Sequence, residues 1–407
     1  MTPFEWDVRV SSKEDPGGHA DVYWPGSLHH STGHYCAWED EARPFHWFSE
    51  FPAVIERGGF DVVIGNPPYV KMGQIPAYSL SGYRTRVCSD FYAVCFERSL
   101  SLTSPIGRHS LIVMLNLAFS DRFGPLRQQI ADRSGGEWWS TYGKWPTQLF
   151  AGVRVANTLL VLGPGDRKYT TRHNIFGADH RASLFQTAEY NQFVREGADT
   201  PIRGGIAEDV LRNIDGLELP AGRSSNTGLS IRPTGQYWFP VLFGVPPILD
   251  SSGSVLHPVD HRVKALTLSP DEDPLLAGAA LAGKLAFAWW SATGDDFDVN
   301  EDEAELGRKA AAHVRRSDEL LQLAAEVREA GRRASFVSKN NDGYINVRWT
   351  SVRHVTDRFD RALLDALGLL EHWRPLNIWY RQCMRSTRAN NNSRLLTEEE
   401  IDRYLRW

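Results

Sequence analysis

Residues 60–69 read FDVVIGNPPY, and this short stretch indicates how the first third of the chain folds. Gly59 and Gly65 bound the apolar, β-branched run Phe60 to Ile64, which is typical of a buried parallel strand. The run leads directly into Asn66-Pro67-Pro68-Tyr69. Ligands of open α/β sheets bind beyond the carboxyl ends of the strands. We therefore expect Asn66 to Tyr69 to lie at a site on the rim of a sheet.

Helical and strand patterns alternate on both sides of this stretch. Apolar periodicity predicts helices at 44–55, 89–102 and 123–132, and buried strands at 110–115 and 156–162. Strands that alternate with helices are typical of a parallel or mixed sheet. The sequence therefore predicts an α/β fold, with part of a Rossmann-like sheet in this region.

The alternation ends near residue 166, which predicts a change of domain. The stretch to about 275 is rich in Gly, Pro and Ser, whereas Ala277–Trp290 and Glu303–Arg333 have helical patterns. We predict an irregular segment at 1–44, a partial catalytic domain at 45–165 and a mixed α+β recognition region at 166–407.

The turn residues suit the methylation of a planar amino group such as that of adenine. The lone pair of such a nitrogen is delocalised into the ring, so two acceptors aimed at its N–H groups would make it a better nucleophile. The side-chain oxygen of Asn66 and a carbonyl of the Pro67-Pro68 turn can be those acceptors, because two prolines fix the backbone and remove competing donors. Tyr69 offers a flat face for a base flipped out of the duplex.

The same residues are compatible with other interpretations. A strand can end in a Pro-Pro turn in which the asparagine side chain has a purely structural role, with its hydrogen bonds made to neighbouring residues. RNA adenine and protein glutamine also present a planar amine, so the turn alone does not separate these substrates. The size of the C-terminal region and its Arg and Trp content favour DNA.

Composition bounds the remaining possibilities. The chain has 407 residues and a formal net charge of −5, so DNA binding requires a local basic face. No apolar run is long enough to span a bilayer and the N-terminus does not resemble a targeting peptide, so we expect a cytoplasmic protein with no membrane partner. The four cysteines form no CxxC pair, and we expect free thiols and no metal site.

Three stretches resemble the catalytic domain of adenine-specific DNA methyltransferases of restriction-modification and phage-defence systems. They are FHWFSEFPAVIERGGFDVVIGNPPYV (45–70), SDFYAVCFERSLSLTSPIGRHSLIV (89–113) and LFAGVRVANTLLVL (149–162). The resemblance implies methyl transfer from S-adenosylmethionine to adenine in double-stranded DNA. It also implies that Asn66 and Pro67 hold the amino group, Pro68 completes the rigid turn and Tyr69 stacks on the base. Phe150 would then contact the flipped base, and Asp90 and Phe91 would lie near the cofactor or the motif turn.

One departure from this family concerns the cofactor. The family binds S-adenosylmethionine through a glycine-rich loop well before NPPY, but only 65 residues precede Asn66 and no strand followed by GxG stands among them. We therefore expect either a fragment of a longer protein or a second polypeptide that supplies this half. A non-catalytic DNA-recognition or specificity module is the alternative function.

A basic stretch near the C-terminus is the candidate DNA-binding face. Between residues 372 and 397 no acidic residue occurs, Trp373, Trp379 and Tyr380 are interleaved, and Arg374, Arg381, Arg385, Arg388 and Arg394 supply charge. By contrast, we expect the Trp289-Trp290 pair to pack in a helix core. The acidic stretch Asp295 to Asp298 is expected to be a solvated turn rather than a metal site.

Overall fold

The computed structural model describes residues 47–74, 80–133, 135–222, 228–235, 238–250, 254–257, 263–337 and 343–384. The chain divides into two compact units. The first comprises residues 1–138, 159–168 and 195–200, and the second comprises residues 139–158, 169–194 and 201–407.

Six strands form the main sheet. Their bounds are Phe60–Gly65 (β1), Thr103–Met114 (β2), Gly136–Tyr142 (β3), Asn157–Gly163 (β4), Lys168–Asn174 (β5) and Asn191–Gln192 (β6). Their order in the sheet is β1-β2-β4-β3-β5-β6, with β1 parallel to β2 and β5 antiparallel to β6. This mixed sheet confirms the predicted α/β class. β5 and β6 extend it beyond residue 165, where the sequence predicts a change of domain.

β1 is a true strand, but the prediction that it is buried was wrong. It stands at the end of the strand order, and among the described residues only β2 pairs with it. Val62 is 57% exposed and Ile64 is 75% exposed. The apolar run reflects a strand whose second neighbour is not among the described strands, rather than a strand enclosed on both sides.

Four α-helices lie in the described part of the first unit. They are Trp47–Glu50 (α1), Pro52–Glu56 (α2), Tyr92–Leu102 (α3) and Gly124–Asp132 (α4). The predicted helix at 44–55 is therefore two short helices, since Pro52 starts a new one. Gly59, the residue before β1, has a φ of +118°, and a Cβ there would lie 2.5 Å from the Leu102 carbonyl oxygen. Only glycine therefore fits this position. Tyr92, Phe96 and Phe123 are fully buried in the core of this unit.

The second unit combines short strands with seven helices among its described residues. The strands are Leu229–Ile231 (β7), Val241–Phe243 (β8), Ile248–Leu249 (β9), Val255–His257 (β10), Lys264–Ala265 (β11), Ser335–Val337 (β12) and Ile345–Val347 (β13). The helices are Glu208–Asp215 (α5), Pro274–Ala282 (α6), Lys284–Thr293 (α7), Glu301–Ala312 (α8), Asp318–Arg333 (α9), Arg353–Ala366 (α10) and Trp373–Met384 (α11). Its core includes Trp290, Trp349 and Trp379.

Both long helical patterns of this unit are broken in the structure. The pattern at 277–290 divides at Gly283, where a Cβ would lie 1.9 Å from Asp360 Oδ1. The pattern at 303–333 divides before Ser317, whose side chain caps α9 by accepting a hydrogen bond from the Leu320 amide. Tertiary contact and capping thus set helix ends that periodicity alone does not mark.

No single helix in the described part of the chain is both long and apolar enough to cross a bilayer. By length and composition the consecutive pair α6 and α7 would pass that test together, with a bend of 64° between them.

Candidate functional site

The Asn66–Tyr69 turn leaves the sheet at the carboxyl end of β1. Parallel pairing places Ile64 opposite Ser110 and Gly65 opposite Leu111 of β2, so the register fixes where the turn begins. Asn66 follows at once and is exposed. Among the described residues its amide group has no hydrogen-bond partner. A side chain so placed is free to accept a hydrogen bond from a ligand.

Tyr69 is half-buried and held by its hydroxyl group. The hydroxyl donates a hydrogen bond to the Ile112 carbonyl oxygen of β2 at 2.8 Å. The ring also meets Tyr92 edge to face, with centroids 6.5 Å apart and planes at 76°. These contacts fix the direction of the ring at the sheet's rim. Its predicted stacking on a base stays a prediction.

The chain that leaves the turn is clamped to the segment before α3. Phe91 N–H donates to the Val70 carbonyl at 2.8 Å, and Met72 N–H donates to the Ser89 carbonyl at 3.0 Å. Lys71 and Asp90 face each other in this antiparallel bridge. Backbone pairing therefore holds the exit of the turn, as β1 holds its entry.

Asp90 lies at the centre of a buried polar cluster. Its side chain is 1% exposed, and Lys71 Nζ lies 2.8 Å from Oδ1. Oδ2 accepts hydrogen bonds from Asn116 Nδ2 at 2.9 Å and from Ser89 Oγ at 2.6 Å. The Tyr92 hydroxyl donates to Asn116 Oδ1 at 2.5 Å. Burial, and then the charge of Asp90, hold the pKa of Tyr92 well above its usual value, so this phenol stays a donor.

These contacts bear on the predicted cofactor role of Asp90 and Phe91. Both carboxylate oxygens of Asp90 already have protein partners, and Phe91 is half-buried in the bridge that follows the turn. This environment fits the positioning of the turn, and the predicted binding of S-adenosylmethionine by Asp90 and Phe91 stays a prediction. Lys71 and Asn116, which complete the cluster, carry no sequence signal of their own, because their partners lie up to 26 residues away.

Phe150 lies in the second unit, in a stretch between β3 and β4 without helix or strand. Its side chain is half-buried, and its carbonyl accepts a hydrogen bond from the Val153 amide at 3.1 Å. Its predicted contact with a flipped base stays a prediction.

The predicted basic face is described only in part. Arg374 and Arg381 are exposed on α11, as a phosphate-binding role requires, and Arg385, Arg388 and Arg394 lie outside the described residues. The aromatic residues between them are not available for DNA. Trp379 is fully buried with its ring 5.7 Å from that of Phe287, and Tyr380 is only 7% exposed. The interleaved aromatic pattern reflects the buried side of an amphipathic helix.

Two further expectations about the second unit have clear outcomes. Trp290 is buried and donates to the Asp298 carbonyl, in agreement with the predicted core position. The acidic turn is not fully solvated, however, because the Asp296 side chain is 4% exposed and lies 3.2 Å from His173 Nε2. Asp296 also accepts a hydrogen bond from the Lys144 amide at 2.8 Å, so it ties this loop to the end of β3.

Comparison with known proteins gives a family match over part of the chain. Residues 29–134 match the Eco57I restriction-modification methylase family. The chain is 40% identical over 81 residues to the Type II methyltransferase M.PaeR7I of Pseudomonas aeruginosa, which covers 19% of this chain and 14% of that protein. It is 37% identical over 78 residues to the Type II methyltransferase M.XhoI of Xanthomonas vasicola, with 18% and 14% covered. The matched segment thus spans about one seventh of the length of these relatives.

Solved structures give weaker overlaps. The Type IIL restriction-modification enzyme MmeI in complex with DNA superposes with a TM-score of 0.36 and 12% identity, over 84% of this chain and 55% of that one. The DrdV–DNA complex superposes with a TM-score of 0.29 and 10% identity, over 37% and 19%. The family match, which includes the NPPY turn, confirms the resemblance to restriction-modification methylases.

Proposed function

We propose that this chain holds the target adenine and the DNA in a site-specific, adenine-specific DNA methyltransferase of a restriction-modification or phage-defence system. The observation that carries the proposal is the exposed amide of Asn66, which has no hydrogen-bond partner in the part of the chain that the structure describes, on a turn fixed at both ends. Entry to the turn is set by the β1–β2 register, and exit by the Lys71–Asp90 bridge. Acceptors held rigid in this way stabilise a transition state without reorganisation.

In the proposed reaction each turn residue has one task. Asn66 Oδ1 and a carbonyl of the Pro67-Pro68 turn accept hydrogen bonds from the adenine amino group and make its lone pair available. Tyr69 covers one face of the extruded base. S-adenosylmethionine supplies a methyl group already activated by a sulfonium, so the protein needs no covalent nucleophile. The proton of the methylated amine leaves to solvent.

Cofactor binding is proposed to involve a further polypeptide segment. The outer edge of β1 has no strand partner in the described part of the chain, and Val62 and Ile64 are exposed beside it. Unpaired strand edges readily accept another strand. We propose that strands which bind S-adenosylmethionine align there, whether from another part of the same protein or from a second protein.

In vivo methylation tests the catalytic role of the turn. The gene would be expressed with its neighbouring genes in a bacterium that lacks adenine methylation, and N6-methyladenine mapped by single-molecule sequencing. Asn66→Ala should reduce the methylation rate by about 100-fold or more, as expected for loss of one preorganised group, and the modified fraction should fall accordingly. Asn213→Ala, at an exposed position on α5, is the control and should leave methylation intact. Wild-type modification by Asn66→Ala would refute the assigned role.

A non-catalytic DNA-recognition module is the second candidate, favoured by the unpaired outer edge of β1 among the described strands and by the exposed Arg374 and Arg381. Isothermal titration of the purified chain with S-adenosylmethionine separates the two. Binding supports an enzyme in which this chain alone holds the methyl donor. If the chain binds DNA but not S-adenosylmethionine, it is either a recognition module or a chain that needs the further segment.

The salt dependence of DNA binding tests the basic face. Arg374→Ala and Arg381→Ala should each lower the slope of log affinity against log salt by about one. An unchanged slope would show that this basic face does not contact phosphates.

A further inference from the structure

The second unit contains a cavity of about 330 Å³, a size that admits a nucleotide or a single phosphate group. It lies where β5, the following segment and the last turn of α11 meet. Its floor is apolar, with Ile175, Phe176 and Leu184. Its polar side chains are those of Arg172, Asn174, His180, Thr187, Glu189, Asn191 and Gln382.

Arg172 gives the cavity its charge. The guanidinium donates only a long hydrogen bond of 3.4 Å to the His173 carbonyl and approaches Cys383 Sγ at 4.0 Å. Within the described part of the chain no carboxylate pairs with it. A half-buried guanidinium without a counter-charge attracts an anion, and its planar fork matches the oxygen atoms of a phosphate.

Two amides complete the site in different ways. Asn174 is 8% exposed, and its Nδ2 donates to the Thr141 carbonyl and to Thr171 Oγ1, both at 3.0 Å, so it builds the wall. Asn191 Nδ2 makes only a 3.5 Å contact with the Glu189 carbonyl and remains a donor for a ligand. The site thus pairs one cation with a spare N–H donor above an apolar floor.

Glu189 is the one acidic side chain among the residues that line the cavity. It is exposed at the rim, and its Oε2 accepts a hydrogen bond from Gln382 Nε2 at 3.0 Å. This bond joins the rim to α11, directly beside the exposed Arg381. Because its charge opposes that of an incoming anion, Glu189 provides a variant with an effect of opposite sign.

We propose that the Arg172 cavity binds a phosphate group, and that in the working protein this is a backbone phosphate of the DNA which Arg374 and Arg381 also contact. The inference rests on the proposed function for the source of the phosphate. The binding chemistry itself rests only on the cavity. Arg172 thereby joins the DNA-binding residues, although no motif in the sequence marks it.

DNA affinity tests the source of the phosphate. Fluorescence anisotropy with a labelled mixed-sequence duplex would be measured over a range of KCl concentrations. Arg172→Gln should weaken binding about tenfold and lower the salt slope by about one, whereas Arg361→Gln, an exposed arginine on α10, should do much less. Asn191→Asp should also weaken binding, with Asn213→Asp as its matched control. Glu189→Gln should strengthen it.

Titration with inorganic phosphate and with AMP separates the remaining outcomes. If Arg172→Gln and Asn191→Asp, folded as judged by circular dichroism, bind DNA, phosphate and AMP like their controls, the inference is overturned. If only phosphate or AMP binding depends on Arg172, the site takes a free anion and the DNA source is wrong. If the wild type binds no DNA, the proposed function loses its DNA partner, and the cavity is judged by phosphate binding alone.

Discussion

Lys71 Nζ lies 2.8 Å from Oδ1 of Asp90, and this pair closes the bridge that fixes the exit of the Asn66–Tyr69 turn. The two partners differ in environment, since the Lys71 side chain is 57% exposed and that of Asp90 is 1% exposed. Asp90 also binds Asn116 and Ser89, so the buried carboxylate, rather than the ion pair, organises the cluster. Asp90 is therefore a positioning residue for the turn.

Asp90→Asn is expected to lower the unfolding free energy by about 1–3 kcal/mol. An asparagine side chain has one oxygen, and if that oxygen accepts hydrogen bonds from Asn116 and Ser89, the NH2 group must face the ammonium group of Lys71. Lys71→Met should cost less than Asp90→Asn, since Lys71 is 57% exposed and the bonds of Asp90 Oδ2 to Asn116 and Ser89 persist, although Oδ1 of the buried carboxylate loses its cation. Urea unfolding measures both. In the methylation assay Asp90→Asn should also lower activity at saturating DNA, and equal effects of the two variants would contradict the central role of the carboxylate.

Two substitutions separate the tasks of Tyr69. Tyr69→Phe removes the 2.8 Å bond to Ile112 and should cost about 1 kcal/mol of stability, yet it keeps a ring that can stack, so methylation should persist. Tyr69→Ala should lower methylation about 10- to 100-fold, the range expected for loss of base stacking. If Tyr69→Phe were as inactive as Tyr69→Ala, the hydroxyl would have a direct role in the reaction.

The fold of the first unit was largely predictable because its signals are local. The run Phe60 to Ile64 and the periodicity of α3 both act within a few residues, whereas the single helix predicted at 44–55 overlooked the break at Pro52. The apolar run by itself reads the same whether one neighbouring strand or two is present, and it predicts a buried strand. The exposed edge of β1 follows instead from the expected lack of the cofactor-binding half beside it. The sequence does not predict β3, because GEWWSTY begins with glycine and its apolar and polar residues do not alternate regularly.

The candidate site divides in the same way. Asn66 to Tyr69 are adjacent in the sequence, so the sequence alone predicts them as candidate site residues. Asn116 and Arg172 owe their placement to tertiary contacts, and single letters do not reveal these. The aromatic residues of α11 show the opposite error, because Trp379 and Tyr380 looked accessible beside arginines and are instead the buried side of the helix.

Acidification should destabilise the first unit through His109. This histidine is fully buried, with Ser99 Oγ 2.8 Å from Nε2, and burial together with the charge of Arg133 lowers its pKa from 6.5 to about 4. Between these values the unfolded chain takes up a proton that the folded chain does not, so stability falls as the pH falls from about 6.5 to about 4. The loss between pH 7 and pH 5 should be about 2 kcal/mol.

His109→Gln tests this origin, because glutamine does not titrate. Urea unfolding at pH 7 and pH 5 should show that acidification changes the unfolding free energy of His109→Gln about 2 kcal/mol more favourably than that of the wild type, since the opposing contribution of Asp360 is common to both. His354→Gln, at an exposed position, should follow the wild type. A wild-type loss retained in His109→Gln would place the proton uptake elsewhere.

The second unit should respond to pH in the opposite direction through Asp360. Its Oδ2 accepts the Lys284 amide at 2.8 Å and so caps α7 across the core, but burial raises the pKa of this fully buried carboxyl group from 3.8 to about 6. Lys284 and Arg353 lower the pKa and Asp357 raises it, and burial outweighs them. Between pH 4 and pH 6 the folded chain holds a proton that the unfolded chain has lost, so stability falls as the pH rises. From pH 4 to pH 7 this loss amounts to about 2 kcal/mol.

Asp360→Asn keeps an oxygen for the cap and removes the titration, so its unfolding free energy should lose that pH dependence. Asp365→Asn, at an exposed position on the same helix, should retain it. If both variants kept the wild-type profile, Asp360 would be ionised throughout, and its charge would have to be offset by Lys284 and Arg353 more strongly than burial disfavours it.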